Sequence, residues 1–90
     1  MPTPRLSKDA MSFIEKMLPK HAKQVLLKIL ALCSNPSPPD SLRLKGSPEG
    51  YSRADSGEYR IIYRIEDDKL HIHLIGKRND DEVYRQFSRK

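Results

Sequence analysis

Tyr59-Arg60-Ile61-Ile62-Tyr63-Arg64-Ile65 decides the fold class, because its side chains alternate in character. Tyr59, Ile61, Tyr63 and Ile65 fall on one face, with Arg60, Ile62 and Arg64 on the other. Period two with β-branched and aromatic residues predicts a β-strand. Leu70-His71-Ile72-His73-Leu74-Ile75 alternates as well, which sets Leu70, Ile72 and Leu74 opposite His71, His73 and Ile75. Glu66-Asp67-Asp68 reads as the turn between these strands, and Asp55-Ser56-Gly57 as the turn before the first. A shorter strand around Tyr51 to Ala54 is expected to pair with the 59–66 strand.

Upstream the period changes to that of a helix. Ser7 can cap a first helix in which Ala10, Phe13, Ile14 and Met17 follow at i, i+3, i+4 and i+7. Leu18-Pro19 breaks it, and Pro19 can open a second helix, where its missing N–H costs nothing. Ala22, Val25, Leu26, Ile29, Leu30 and Cys33 form the expected core stripe of that helix, while Lys8, Lys16, Lys20, Lys23 and Lys28 are expected on exposed faces. The segment Asn35-Pro36-Ser37-Pro38-Pro39-Asp40 cannot be helical and serves as a connector. After Gly76-Lys77-Arg78, Asn79 or Asp80 can cap a short final helix. The expected fold is α+β, a single domain over 1–90. An N-terminal helical hairpin packs on a small antiparallel sheet, and a short C-terminal helix follows. The hairpin must cover the Tyr59/Ile61/Tyr63 face, which leaves Arg60, Arg64, His71 and His73 on an open cationic face.

Composition agrees with a basic, globular chain. Lys and Arg number 17 against 12 Asp and Glu, giving a net charge of +5 and a pI near 9.5. Such a surplus favours a polyanionic partner through long-range attraction and counterion release. The single cysteine, Cys33, excludes an internal disulfide and suits a reducing compartment. Met1-Pro2-Thr3-Pro4-Arg5 carries no apolar signal region, and no apolar run approaches a bilayer span, so a cytoplasmic protein without a membrane partner is expected.

Most catalytic chemistries find no complete set of residues. His71 and His73 share a strand face, but no cysteine or suitably spaced acid joins them as a metal site. Glu66-Asp67-Asp68 reads as a solvated turn, Cys33 as core, and no Gly-rich phosphate cradle or nucleophile elbow is present. No metal or cofactor is expected. What remains is Arg60 on the open strand face, Arg78 just beyond the next strand, and Tyr84 in the following helix. Guanidiniums bind phosphate bidentately and can stabilise a pentavalent transition state, and a tyrosine can stack on an unpaired base. RNA supplies its own nucleophile in the 2′-OH.

The local sequence adds a resemblance. Leu44-Lys45-Gly46-Ser47-Pro48, Tyr51, Gly57-Glu58-Tyr59-Arg60-Ile61-Ile62-Tyr63 and Gly76-Lys77-Arg78-Asn79-Asp80-Asp81-Glu82-Val83-Tyr84 resemble the RelE-type toxins of the RelE/ParE superfamily, with the likeness running from about Ala22 onward. The resemblance implies an mRNA interferase of a type II toxin–antitoxin system, a metal-independent endoribonuclease that cleaves mRNA in the ribosomal A site. It gives Arg60 the scissile phosphate, Arg78 the leaving 5′-oxygen, and Tyr84 the nucleotide at the cut. Its implied partners are the ribosome, mRNA and a cognate antitoxin, with operator DNA reached only through the antitoxin complex. Where RelE toxins carry two strand lysines, this chain has Ser52 and Ala54, with Arg53 between them. Arg53, Lys45 and Lys77 are the candidate RNA-binding residues. The resemblance leaves two alternatives, a ParE-like gyrase inhibitor and a catalytically weak member that binds only antitoxin and operator DNA.

Overall fold

Ser7 joins the first strand to the first helix. Its Oγ accepts a hydrogen bond from the Ala10 N–H (3.1 Å) and donates one to the His73 carbonyl (2.6 Å), so the helix cap is also tied to the sheet. In the computed structural model, which describes residues 3–36, 41–44 and 50–77, the order is β1 (Thr3–Leu6), α1 (Lys8–Glu15), α2 (Pro19–Ser34), β2 (Leu42–Arg43), β3 (Ser52–Ser56), β4 (Tyr59–Glu66) and β5 (Lys69–Lys77). The strands form one sheet in the order β1-β5-β4-β3-β2. The β2–β5 pairings are antiparallel and β1 runs parallel to β5, so the sheet is mixed rather than purely antiparallel. β1 lies at the sheet edge, where the missing N–H of Pro4 does no harm. The expected C-terminal helix falls outside the described residues.

Both helices cover one face of the sheet. Ala10, Val25, Ile29, Leu32, Cys33, Ala54, Tyr59, Ile61, Tyr63, Leu70, Ile72 and Ile75 form the main core, with Leu6, Phe13, Ile14 and Met17 packed against it. Tyr63 is 2% exposed, and its hydroxyl donates to the Pro36 carbonyl at 2.6 Å, fastening the end of the helical hairpin to the sheet. The stripe expected of α2 needs correction. Leu32 is buried, whereas Leu26, Leu27 and Leu30 are 43%, 56% and 57% exposed. From Val25 to Cys33 every residue but Lys28 is apolar, so two overlapping stripes fitted the sequence and only packing distinguishes them. Lys28 is half-buried; Lys8, Lys16, Lys20 and Lys23 are exposed as expected.

Strand β5 departs from simple alternation. Ile62 pairs with Leu74 but Tyr63 pairs with Ile72, which leaves His73 as the extra residue of a β-bulge. Beyond the bulge the parity reverses, so Ile75 enters the main core. Leu74 joins Ile62 in a small second cluster on the other face, with Leu44 and Tyr51 against it. The centre of that face is therefore apolar and closed, and its cations are pushed to the two ends. Two tight turns hold the meander. Ser56 pairs with Tyr59 across Gly57-Glu58, with Gly57 at φ +58°, so β3 runs on through Asp55, where a turn was expected. Glu66 pairs with Lys69 across Asp67 and Asp68 at φ 53° and 59°, the double left-handed geometry of a type I′ turn that aspartate tolerates.

Candidate functional site

The extension of β3 by two residues sets the local chemistry. Asp55 lies directly opposite Arg60 in the β3–β4 register, so the two side chains leave the sheet on the same face. Arg60 Nε donates to Asp55 Oδ1 at 2.8 Å and Nη2 to Oδ2 at 3.4 Å. The side chains are only 14% and 26% exposed, so this two-point ion pair is shielded from competing water and holds the guanidinium in one orientation. Arg53 pairs with Ile62 and is the diagonal neighbour of Arg60, about 7–8 Å away by strand geometry. Gly76, the register partner of Arg60 on β5, brings no side chain to this corner.

The same register disposes of Ser52 and Ala54. Ala54 is 1% exposed and packs in the helix-covered core, so the alternation puts Arg53 and Asp55, not 52 and 54, beside Arg60. Lys77 pairs with Tyr59, a core residue, and is out of phase with Arg60 by one position. The structure thus brings Arg53 and Arg60 together and sets Lys77 on the other side of the sheet. Lys45, Arg78 and Tyr84 lie outside the described residues. Sequence reading missed Asp55, because Asp-Ser-Gly is an ordinary turn signal; the one-residue spacing of Arg53 and Asp55, in phase with Arg60, was the clue.

The opposite end of this face holds a second polar group. Arg64 and Glu66 form a two-point pair at 3.0 and 3.1 Å, and the Arg64 guanidinium carbon lies 5.4 Å from the Tyr51 ring centre. Tyr51 in turn stacks at a tilt on His73, with centroids 5.0 Å apart. Elsewhere, His21 Nδ1 meets the Tyr59 hydroxyl at 3.1 Å behind the sheet. Cys33 is buried, and burial pushes its thiol up from the ordinary value, which suits a packing residue and not a nucleophile. Among the described residues no three or more His, Cys, Asp or Glu side chains come together as a metal-binding group, and no helix is long and apolar enough to cross a membrane.

Residues 5–82 match the family of ParE toxins of parDE type II toxin–antitoxin systems. The chain belongs to this toxin family. The toxin's fold is shared by RelE toxins of solved structure. The RelBE2 toxin–antitoxin complex from Mycobacterium tuberculosis is 26% identical with a TM-score of 0.74, covering 87% of this chain and 100% of that one. The archaeal RelE–RelB complex from Pyrococcus horikoshii OT3 is 23% identical with a TM-score of 0.75, covering 86% and 94% of the two chains. The isolated E. coli RelE toxin is 18% identical with a TM-score of 0.74, covering 99% and 97%. No curated protein sequence matches the toxin.

Proposed function

We propose that this toxin is a metal-independent endoribonuclease that cleaves mRNA on the ribosome in the cytoplasm and is held silent by a cognate antitoxin. The observation that carries the reading is the Arg60–Asp55 pair beside Arg53. A partly buried guanidinium already fixed by a carboxylate is a preorganised positive charge, the kind of group that stabilises a developing phosphorane without reorganising. In the reaction the 2′-oxygen attacks the adjacent phosphorus and the bond to the 5′-oxygen breaks. The 2′-OH proton is taken up by a base and the 5′-oxygen gains a proton, leaving a 2′,3′-cyclic phosphate and a 5′-hydroxyl. Arg60 and Arg53 take the scissile phosphate, Arg78 the leaving oxygen, and Tyr84 the neighbouring base. Arginine is a poor base, so the first proton goes to Lys45 or to a group of the ribosome. Lys77, on the far side of the sheet, takes no part.

The exposed Leu26, Leu27 and Leu30 of α2, flanked by Lys23, suit an acidic amphipathic antitoxin segment, through which any operator DNA would be bound. The match to the parDE toxin family favours a second reading, a protein-binding inhibitor of gyrase. Chemistry separates the two. Purified toxin with programmed ribosomes is expected to cut mRNA in excess EDTA and to leave 2′,3′-cyclic phosphate or 3′-phosphate ends, read by end-labelling with and without phosphatase. Strict dependence on added Mg²⁺ with 3′-hydroxyl ends would contradict the mechanism.

A further inference from the structure

Two arginines and a histidine line up across three strands. Arg5 of β1 pairs with His71 of β5, and His71 pairs with Arg64 of β4, so the row Arg5–His71–Arg64 crosses one edge of the sheet. Residues directly opposite each other share a face at about 5 Å, so Arg5 and Arg64 flank one imidazole on the same face. Such a row calls for an anion. The side chains wall a cleft of about 220 Å³ completed by Tyr51 and His73, a volume equal to about seven waters of bulk liquid and enough for a phosphate with part of its sugar. Arg64 Nε is buried with no hydrogen-bond partner among the described residues, while the two outer nitrogens of the same guanidinium hold Glu66. Glu66, 48% exposed at its side chain, is a surface carboxylate that can swing into solvent.

We infer that this cleft is a second phosphate subsite, which grips the RNA backbone away from the scissile bond and which Glu66 occupies when RNA is absent. The inference rests on the RNA-cleavage reading. Arg60 and Arg64 leave the same face of β4 four residues apart, roughly 13 Å along the strand, within the reach of a few nucleotides. Tyr51 lies on the route between them, over the apolar Ile62–Leu74 centre, where it can meet a base. Planar guanidiniums beside an aromatic ring suit a nucleotide better than an acidic peptide, which offers carboxylates but nothing to stack.

The test uses the intact toxin and a fluorescent single-stranded RNA carrying 2′-O-methyl groups, which lacks the nucleophile and cannot be cut. Anisotropy titrations at several salt concentrations compare wild type with Arg64→Gln, Arg5→Gln, Glu66→Gln and Arg60→Ala, each checked by thermal melting. Arg64→Gln and Arg5→Gln are expected to weaken binding about five- to tenfold and to reduce the salt slope by about 0.7–1, the loss of one phosphate contact. Glu66→Gln is expected to tighten binding by freeing Arg64. If Arg60→Ala weakens binding while the Arg64, Arg5 and Glu66 variants match wild type, the subsite is refuted and the RNA reading stands. If wild type fails to bind the RNA even at low salt, the subsite is refuted, while cleavage on programmed ribosomes decides the RNA reading separately. If Arg64→Gln keeps RNA affinity but loses affinity for a poly-glutamate peptide, the cleft serves a protein partner and the inference is wrong.

Discussion

Replacing Arg60 with alanine is expected to lower RNA cleavage about a hundredfold or more, and so to abolish toxicity in cells. Losing one preorganised charge contact to a transition state costs on the order of 3 kcal/mol. Arg78→Ala is expected to do the same at the leaving oxygen. Tyr84→Phe should cost less than Tyr84→Ala if stacking dominates, and equally if the hydroxyl matters. The structure adds a control. Because the Arg60 side chain is only 14% exposed and holds Asp55, its removal breaks that shielded two-point pair, at a cost of about 1–2 kcal/mol in stability. The double variant Arg60→Ala, Asp55→Ala removes that burden and should melt nearer wild type, yet remain inactive. Asp55→Asn tests positioning by itself. It retains the charge of Arg60 but loosens its grip, so cleavage should fall while RNA binding holds. Growth assays and melting curves on the same variants check these outcomes. Fully toxic, folded Arg60→Ala and Arg78→Ala proteins would show the site to be misassigned and bring the gyrase reading forward.

Tyr63→Ala is expected to produce the largest loss of stability among single core changes, about 3–5 kcal/mol. The ring is 2% exposed at the centre of β4, and its hydroxyl bonds to Pro36, where the chain leaves α2. Alanine opens a cavity and releases that end of the hairpin together. Tyr63→Phe keeps the ring and loses only the hydrogen bond, leaving the Pro36 carbonyl unsatisfied, at about 1 kcal/mol. For a domain of this size each 1 kcal/mol lowers the melting temperature by about 4–8 °C, so the two variants separate clearly in a thermal melt. A Tyr63→Ala protein that melts within about 4 °C of wild type would refute this account of how the hairpin is fastened to the sheet.

The central strand and the first helix were legible in the sequence because each carries one unambiguous period. Tyr59 to Ile65 alternates without a break in phase, and Ala10, Phe13, Ile14 and Met17 admit one helical face. Three features were not legible, each for a physical reason. The bulge at His73 inserts one residue and reverses the parity of β5, and its only trace in the sequence is the adjacent apolar pair Leu74-Ile75. The face of α2 was ambiguous because every residue from Val25 to Cys33 except Lys28 is apolar, leaving Leu26, Leu27 and Leu30 exposed where a soluble helix ordinarily carries charge. β2 is two residues long, too short for a period to show. At the candidate site, Arg60 was legible by type and phase. Asp55 was not, since its role depends on a cross-strand register that a one-residue error in the turn would erase.

The most direct test of the toxin's mode of action is inducible expression of the full chain, with cellular mRNA 5′ ends mapped and gyrase-linked DNA breaks assayed in the same cultures. The account predicts new 5′-hydroxyl ends within translated reading frames, in wild type but not in Arg60→Ala, without accumulation of DNA breaks. Gyrase-linked breaks with unchanged mRNA ends would contradict it.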